Sequence, residues 1–259
     1  MSHFDDLLSE GAAVPTEGWD FSWFRGRATE ERPSWGYAGL LAERMAAAEA
    51  ALDLQTGGGE VLAALPAVPP LLAATESWPP NVALARRNLA RFDAEVFEAD
   101  AAADLPLPSS RFDLVTARHP VVTRWDEVRR VLRPGGSCLS QQVGPGSVRE
   151  LTEFMREQPP EGHPFPGPVA TTAGAGAVEV SLAAEAAGLD VVDLREEALR
   201  TEFHDVAAVV HFLRKVVWIV PDFTVERYRE RLAVLHGFME RHGPFVAYSR
   251  RLLVEARRP

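Results

Sequence analysis

The run LDLQTGGGE (residues 52–60) places Asp53, Gln55, Thr56, Gly57 and Gly59 where an apolar strand meets a glycine-rich turn. Glycines let the main chain approach a ligand closely and adopt positive φ. N–H groups at the start of a following helix then face polar or anionic ligand atoms. Glu76 ends the next apolar run, PLLAATE. It falls roughly 20 residues after the glycines, the place of a carboxylate that accepts hydrogen bonds from ribose hydroxyls. Asp100, followed by Ala101, ends a third run, AEVFEAD. Polar groups at three successive strand ends predict a nucleotide-like cofactor along one sheet edge.

Two familiar phosphate motifs are excluded. The dinucleotide fingerprint needs glycine at position 62, where Leu62 stands, and a P-loop needs Gly-Lys-Ser/Thr after the glycines. His119 follows the apolar run FDLVTAR directly, so it is a candidate general base at the edge where an acceptor arrives. Arg118 beside it is placed with the cofactor-binding residues and could also meet an acidic substrate. Gln141 and Gln142 end the run SCLSQQV near the same edge. His204 opens the segment FHDVAAVVHFLRKVVWIVPDF, where it is a second candidate acceptor contact or base and Asp205 a candidate helix cap. Arg27 sits in the leader GWDFSWFRGRATEERPSWGY, and its guanidinium fork suits a cofactor carboxylate. Arg25 and Tyr37 are weaker candidates in that region. No metal is expected: His204 and His211 are not four residues apart, no carboxylate completes a regular set, and Cys138 is the single cysteine.

Positioning such residues takes alternating elements. ALDL, PLLAATE, AEVFEAD, FDLVTAR, SCLSQQV and LDVVDLREE read as strands, with helices over 37–50, in EVLAAL, in NVALARRNLARF capped by Asn81, in RWDEVRRVL and in VEVSLAAEAAG. RPGG is a turn, PPEGHPFPGPVATTAGAGA a mobile loop, and residues 204–220 and 224–241 two helices. FVAYSRRLLVEARR is a final strand. Strands too apolar for a one-sided sheet predict a parallel sheet covered by helices on both faces.

The 259 residues carry a net charge of −10, with 46% hydrophobic and 25% charged residues. That balance suits a globular chain and disfavours a polyanionic partner such as nucleic acid. The N-terminus MSHFDDLLSE lacks the basic-then-apolar order of a secretory signal, and no apolar run approaches a membrane span. A cytoplasmic protein away from membranes is expected, with its oligomeric state open.

Taken together, ALDLQTGGGE, ATE, FEAD, FDLVTARH and VLRPGG resemble the class I S-adenosylmethionine-dependent methyltransferases (type 11/25-like domain) in order and spacing over about residues 50–143. The resemblance implies a Rossmann-like α/β fold with a seven-stranded, mostly parallel sheet. Its last strand is antiparallel beside the fifth, and an N-terminal helical cap precedes it. One domain is implied, with residues 1–50 as cap, 51–157 as cofactor core, and 158–259 as loop, lid helices and last strands. It implies S-adenosyl-L-methionine as cofactor, S-adenosyl-L-homocysteine as product, and a small-molecule methyl acceptor. By resemblance, Asp53 with Gln55, Thr56, Gly57 and Gly59 lies beside the methionine part, Glu76 binds ribose, and Asp100 with Ala101 lies near the adenine. The alternatives are an rRNA-guanine type of methyltransferase and a non-catalytic binding protein of the same fold. Gln55 departs from the pattern, which usually has glycine there.

Overall fold

A computed structural model describes residues 3–18, 20–156 and 175–259. Along the chain come α1 (His3–Ala13), β1 (Ala28–Glu30), α2 (Tyr37–Ala47), β2 (Ala50–Leu54), α3 (Glu60–Ala63), β3 (Leu71–Glu76), α4 (Pro79–Leu89) and β4 (Glu95–Glu98). Then follow β5 (Phe112–Arg118), α5 (Trp125–Val131), β6 (Leu132–Val143), α6 (Arg149–Arg156) and α7 (Ala175–Ala186). The chain closes with β7 (Asp190–Phe203), α8 (Val206–Lys215), α9 (Arg229–His242) and β8 (Phe245–Arg257).

The strands form one sheet in the order β1-β7-β8-β6-β5-β2-β3-β4. Parallel pairing joins β4, β3, β2, β5 and β6, while β8 runs antiparallel to β6 and β1 antiparallel to β7. The α/β class and the antiparallel last strand beside the fifth thus match expectation. The sheet has eight described strands instead of seven because the leader adds β1, pairing Ala28 with Phe203. The chain builds outward from β2 through β3 and β4, then returns to place β5 on the other side of β2. The topological switch point therefore lies between β2 and β5, where open α/β sheets bind ligands beyond the carboxyl ends of the strands.

Three local expectations are corrected. Asn81 does not cap α4. The helix starts earlier, with prolines in its first turn, whose fixed φ suits that position and whose missing N–H costs nothing there. RPGG does not separate a helix from a strand; it lies inside β6, where the register against β5 shifts and Gly135 takes φ 79°. The helical segment EVLAAL forms only the four residues of α3. Of the expected loop over residues 159–177, residues 159–174 lie outside the described residues, as does Trp19 in the leader, and residues 175–177 instead open α7.

Two compact units divide the chain. One comprises residues 33–145, 172–197 and 251–259. Within it, Ala50, Leu52 and Leu54 of β2 join Phe112, Trp125, Val128 and Leu189 in one core cluster, while Ala51 joins Leu41, Met45, Leu62 and Leu89 in another. Alternation along the strand assigns the clusters to opposite faces of the sheet, and β2 is buried along its whole length. Arg44 of α2 fixes that helix by a two-pronged bond to Glu255 of β8, at 2.9 and 3.0 Å. The other unit comprises residues 1–32, 146–171 and 198–250. Its core gathers Leu8, Leu151, Phe154, Phe203, Val209, Leu213, Leu232 and Leu235, and the backbone of Ala207 lies against Gly11 of α1.

Gly59 shows how the glycine turn depends on packing. Its φ is 76°, and an added Cβ would meet Leu89 Cγ at 3.0 Å. Gly59→Ala is expected to cost about 2 kcal/mol, combining left-handed strain with overpacking. Urea unfolding of the two proteins checks this; unchanged stability contradicts it.

Candidate functional site

All groups at the switch point belong to the unit containing β2 to β6. Asp53 is buried near the carboxyl end of β2 opposite Thr116 of β5, and the Thr116 hydroxyl donates to its Oδ1 at 2.6 Å. Burial pushes the Asp53 carboxyl up to about 6, against the opposing pull of Thr116, Thr56 and the Arg118 charge. The Thr56 hydroxyl is itself buried and lies near enough to Asp53 to favour its charged form, although the contact falls outside normal hydrogen-bond geometry. Tyr37, at the start of α2, donates through its hydroxyl to the carbonyl of Ala117 at 3.3 Å.

Gln55 takes the first turn position with φ 53°. A non-glycine residue in the left-handed region costs about 1 kcal/mol. Its side chain offsets that cost: Nε2 donates to the Val122 carbonyl at 2.6 Å, and Oε1 accepts from the Val121 N–H at 2.7 Å. Two hydrogen bonds at about 1 kcal/mol each balance or exceed the strain. The glutamine therefore ties the loop after β2 to the loop after β5, the two strand ends that flank the switch point.

Glu76 ends β3 as expected, and its carboxylate is already busy. Oε1 accepts from the N–H groups of Ser77 and Trp78, at 2.9 and 3.0 Å, and Oε2 accepts from the Gly57 N–H at 2.8 Å. Glu76 thus shapes both the glycine loop and the entry to α4. With about four lone-pair sites per carboxylate, one site on Oε2 remains for an outside donor. A small cleft is lined by Leu54, Gln55, Thr75, Asp100, Ala101 and Leu105 among others. Asp100 is exposed there and accepts from the Ala102 N–H at 2.8 Å. Arg124 and Glu127 fix the cleft's outer loop. Arg124 donates to the Ala102 carbonyl, and Glu127 accepts from the Leu105 N–H at 2.7 Å.

His119 sits just past β5, with φ 57° and a half-buried ring. Burial holds it well below the usual histidine range, helped by the charges of Arg251 and Arg118. Its protonation pattern follows from Trp35. An indole N–H can only donate, and it donates to Gln141 Oε1 at 2.8 Å. The Gln141 amide is thereby oriented, so its Nε2 faces His119 Nε2 at 2.9 Å and must donate to it. The neutral ring then carries its proton on Nδ1. His119 is thus a donor through Nδ1, and the nitrogen that could act as a base is occupied. Gln142 instead turns to Thr123 and Ser140. Arg118 is exposed, and its charge reaches Asp53, Tyr37 and His119.

The remaining candidates belong to the other unit. Arg27 bonds Asp205 at 3.2 Å, pairs with Glu10 and lies over the Trp23 ring at 4.7 Å, so internal partners already hold its fork. His204 stands 3.4 Å from Glu202. Asp205 caps α8 as expected, accepting from the Ala208 N–H at 2.8 Å. Among the described residues there is no cluster of three metal-ligating side chains, and no helix is long and apolar enough to cross a membrane.

The sequence reading missed Thr116, Trp35, Arg124 and Glu127. Thr116 left a signal, being a polar residue in the middle of an apolar strand. The others act through distant backbone or amide partners that no local pattern announces.

Asp53 gives a pH test. Its folded-state value lies above its ordinary value of 3.8, so the folded chain binds more protons than the unfolded one between about 4 and 6. Stability contributed by this group is present at low pH and lost as pH rises through about 6, by about 3 kcal/mol in all. Asp53→Asn, whose amide oxygen can still accept from Thr116, is expected to be more stable relative to wild type at pH 7 than at pH 4. Parallel pH dependences of urea unfolding in the two proteins would show that Asp53 is not desolvated in this way.

Residues 52–140 match the family model described as a methyltransferase domain. A comparison with curated protein sequences finds no match. Among solved structures, the chain is similar to a proposed methyltransferase from Bacillus halodurans C-125, with 19% identity over 86% of this chain and 98% of that one and a TM-score of 0.57. It is also similar to the YcgJ protein of Bacillus subtilis, with 17% identity over 85% and 97% and the same TM-score of 0.57. A third similar structure is the [4+2]-cyclase SpnF, with 19% identity over 98% and 92% and a TM-score of 0.50. Likenesses at that identity speak to fold, and one fold hosts several chemistries. The match over residues 52–140 is thus to a methyltransferase domain, and the chain shares the Rossmann-like α/β fold of these solved structures.

Proposed function

We propose that the chain is an S-adenosylmethionine-dependent methyltransferase that acts on a small-molecule acceptor. The observation that carries this reading is the array at the switch point: the glycine loop, the spare acceptor site on Glu76, the buried Thr56 hydroxyl, and a cleft edged by Asp100 and Ala101. These groups fit the nucleoside half of the cofactor. Glu76 Oε2 would accept from a ribose hydroxyl, Leu54, Ala101 and Leu105 would flank the base, and Thr56 would meet the polar part beside the glycine loop. When bound, the cofactor supplies an activated methyl group for in-line displacement, which asks the protein chiefly for positioning and exclusion of water.

His119, as a neutral donor through Nδ1, orients a polar group at the edge of β5 without removing a proton. The excess of acidic residues supports a small molecule over an RNA acceptor.

Calorimetric titration with S-adenosylmethionine tests the cofactor, and mass-spectrometric screening of metabolites for gain of a methyl group tests the acceptor. Glu76→Ala is expected to weaken cofactor binding at least tenfold. It should also lower stability by about 2 kcal/mol, because it frees three backbone N–H groups. Unchanged cofactor affinity in that variant would put the ribose elsewhere.

A further inference from the structure

One residue, Gln141, grips His119 at both backbone and ring. The His119 main-chain N–H donates to the Gln141 carbonyl at 2.6 Å, and ring Nε2 accepts from the Gln141 amide at 2.9 Å. That grip keeps a non-glycine residue at φ 57°, a costly conformation that persists where its surroundings over-determine it. The other ring nitrogen, which carries the proton, makes no hydrogen bond among the described residues. Nor is it shut away: among those residues, the buried side-chain atoms lacking a normal hydrogen bond are Thr56 Oγ1 and His211 Nδ1. The His119 Nδ1–H is therefore a fixed donor open to an outside acceptor.

Next to it in the chain, Arg118 is exposed, and its guanidinium forms no ion pair or hydrogen bond among the described residues. Burial first, and then the charges of Arg251 and Arg118, keep the His119 ring neutral. Asp53 also feels the Arg118 charge, yet its Oδ1 accepts from Thr116 at 2.6 Å and it forms no ion pair with the guanidinium. The geometry points to a carboxylate seat at the carboxyl end of β5, where Arg118 supplies the charge and His119 Nδ1–H the directed donor for an anionic methyl acceptor. The inference rests on the reading above that the acceptor arrives at this edge, and it names the acceptor's class: a small molecule bearing a carboxylate. One guanidinium and one neutral N–H match a single negative charge spread over two oxygens. The carboxylate is the handle and not the atom that is methylated. Methylation would discharge it on the way to the transition state, so a seat that favours the charge would hold that reaction back.

The test saturates the chain with S-adenosylhomocysteine, titrates it with benzoate or with benzamide, its neutral isostere, and follows the His119 ring by nitrogen NMR. His119→Gln assigns the resonances. Benzoate is expected to shift them saturably in the millimolar range. Benzamide is expected to bind at least about tenfold more weakly, the worth of one charge-assisted hydrogen bond. Arg118→Gln, at an exposed position, is expected to weaken benzoate by at least the same factor and to change S-adenosylhomocysteine affinity less than about threefold. No shift at His119, or equal affinity for benzoate and benzamide, overturns the seat and leaves the cofactor reading standing. A loss of S-adenosylhomocysteine affinity in Arg118→Gln as large as its loss of benzoate affinity assigns the guanidinium to the cofactor's own carboxylate and also overturns it. If the wild-type chain binds no S-adenosylhomocysteine at millimolar concentration, the cofactor reading fails and the seat fails with it.

Discussion

The bond network on Glu76 is the constraint on which the site depends. One buried carboxylate accepts from Gly57, Ser77 and Trp78, so the glycine loop after β2 and the first turn of α4 are set by the end of β3. Gly59 then packs against Leu89 of α4, which fixes the loop from below. A carboxylate held by three backbone donors is rigid, and rigidity is what a positioning enzyme requires at its cofactor edge. Its remaining acceptor site comes already aimed.

A second network works at the other side of the switch point. Trp35 can only donate, and from that single fact the amide orientation of Gln141 and the tautomer of His119 follow. Trp35, just before α2, and Tyr37, at its start, thus reach the ends of β6 and β5. The role of Trp35 is chemical as well as structural, since it decides which nitrogen of His119 carries a proton. Between these networks, Asp53 keeps a carboxylate buried at an energetic cost, softened by Thr116 and by the nearby charge of Arg118.

Much of this was legible in the sequence. FDLVTAR forms β5 over its full length, because a short, mostly apolar run with β-branched residues has one clear reading. Asp53, Glu76 and Asp100 stand at or just beyond the ends of β2, β3 and β4, as the spacing of the apolar runs required. Less legible were features set by tertiary contact. Asp113, in the same run, holds the start of β2 by accepting from the Glu49 and Ala50 N–H groups, and no periodicity encodes that. β1 exists only because β7 extends to Phe203 and offers an edge. RPGG resembles a turn, yet its glycines serve a bend within β6. Gln55 stood out as a departure from pattern, but its partners lie far along the chain and needed the fold to be seen.

The central claim is that one edge of the sheet, at the switch point between β2 and β5, receives the cofactor. Hydrogen–deuterium exchange of the wild-type chain with and without S-adenosylhomocysteine addresses it directly. The account predicts that slowed exchange concentrates in residues 53–59, 99–105 and 118–124. Saturating ligand with no protection there, or protection confined to residues 198–250, would contradict it.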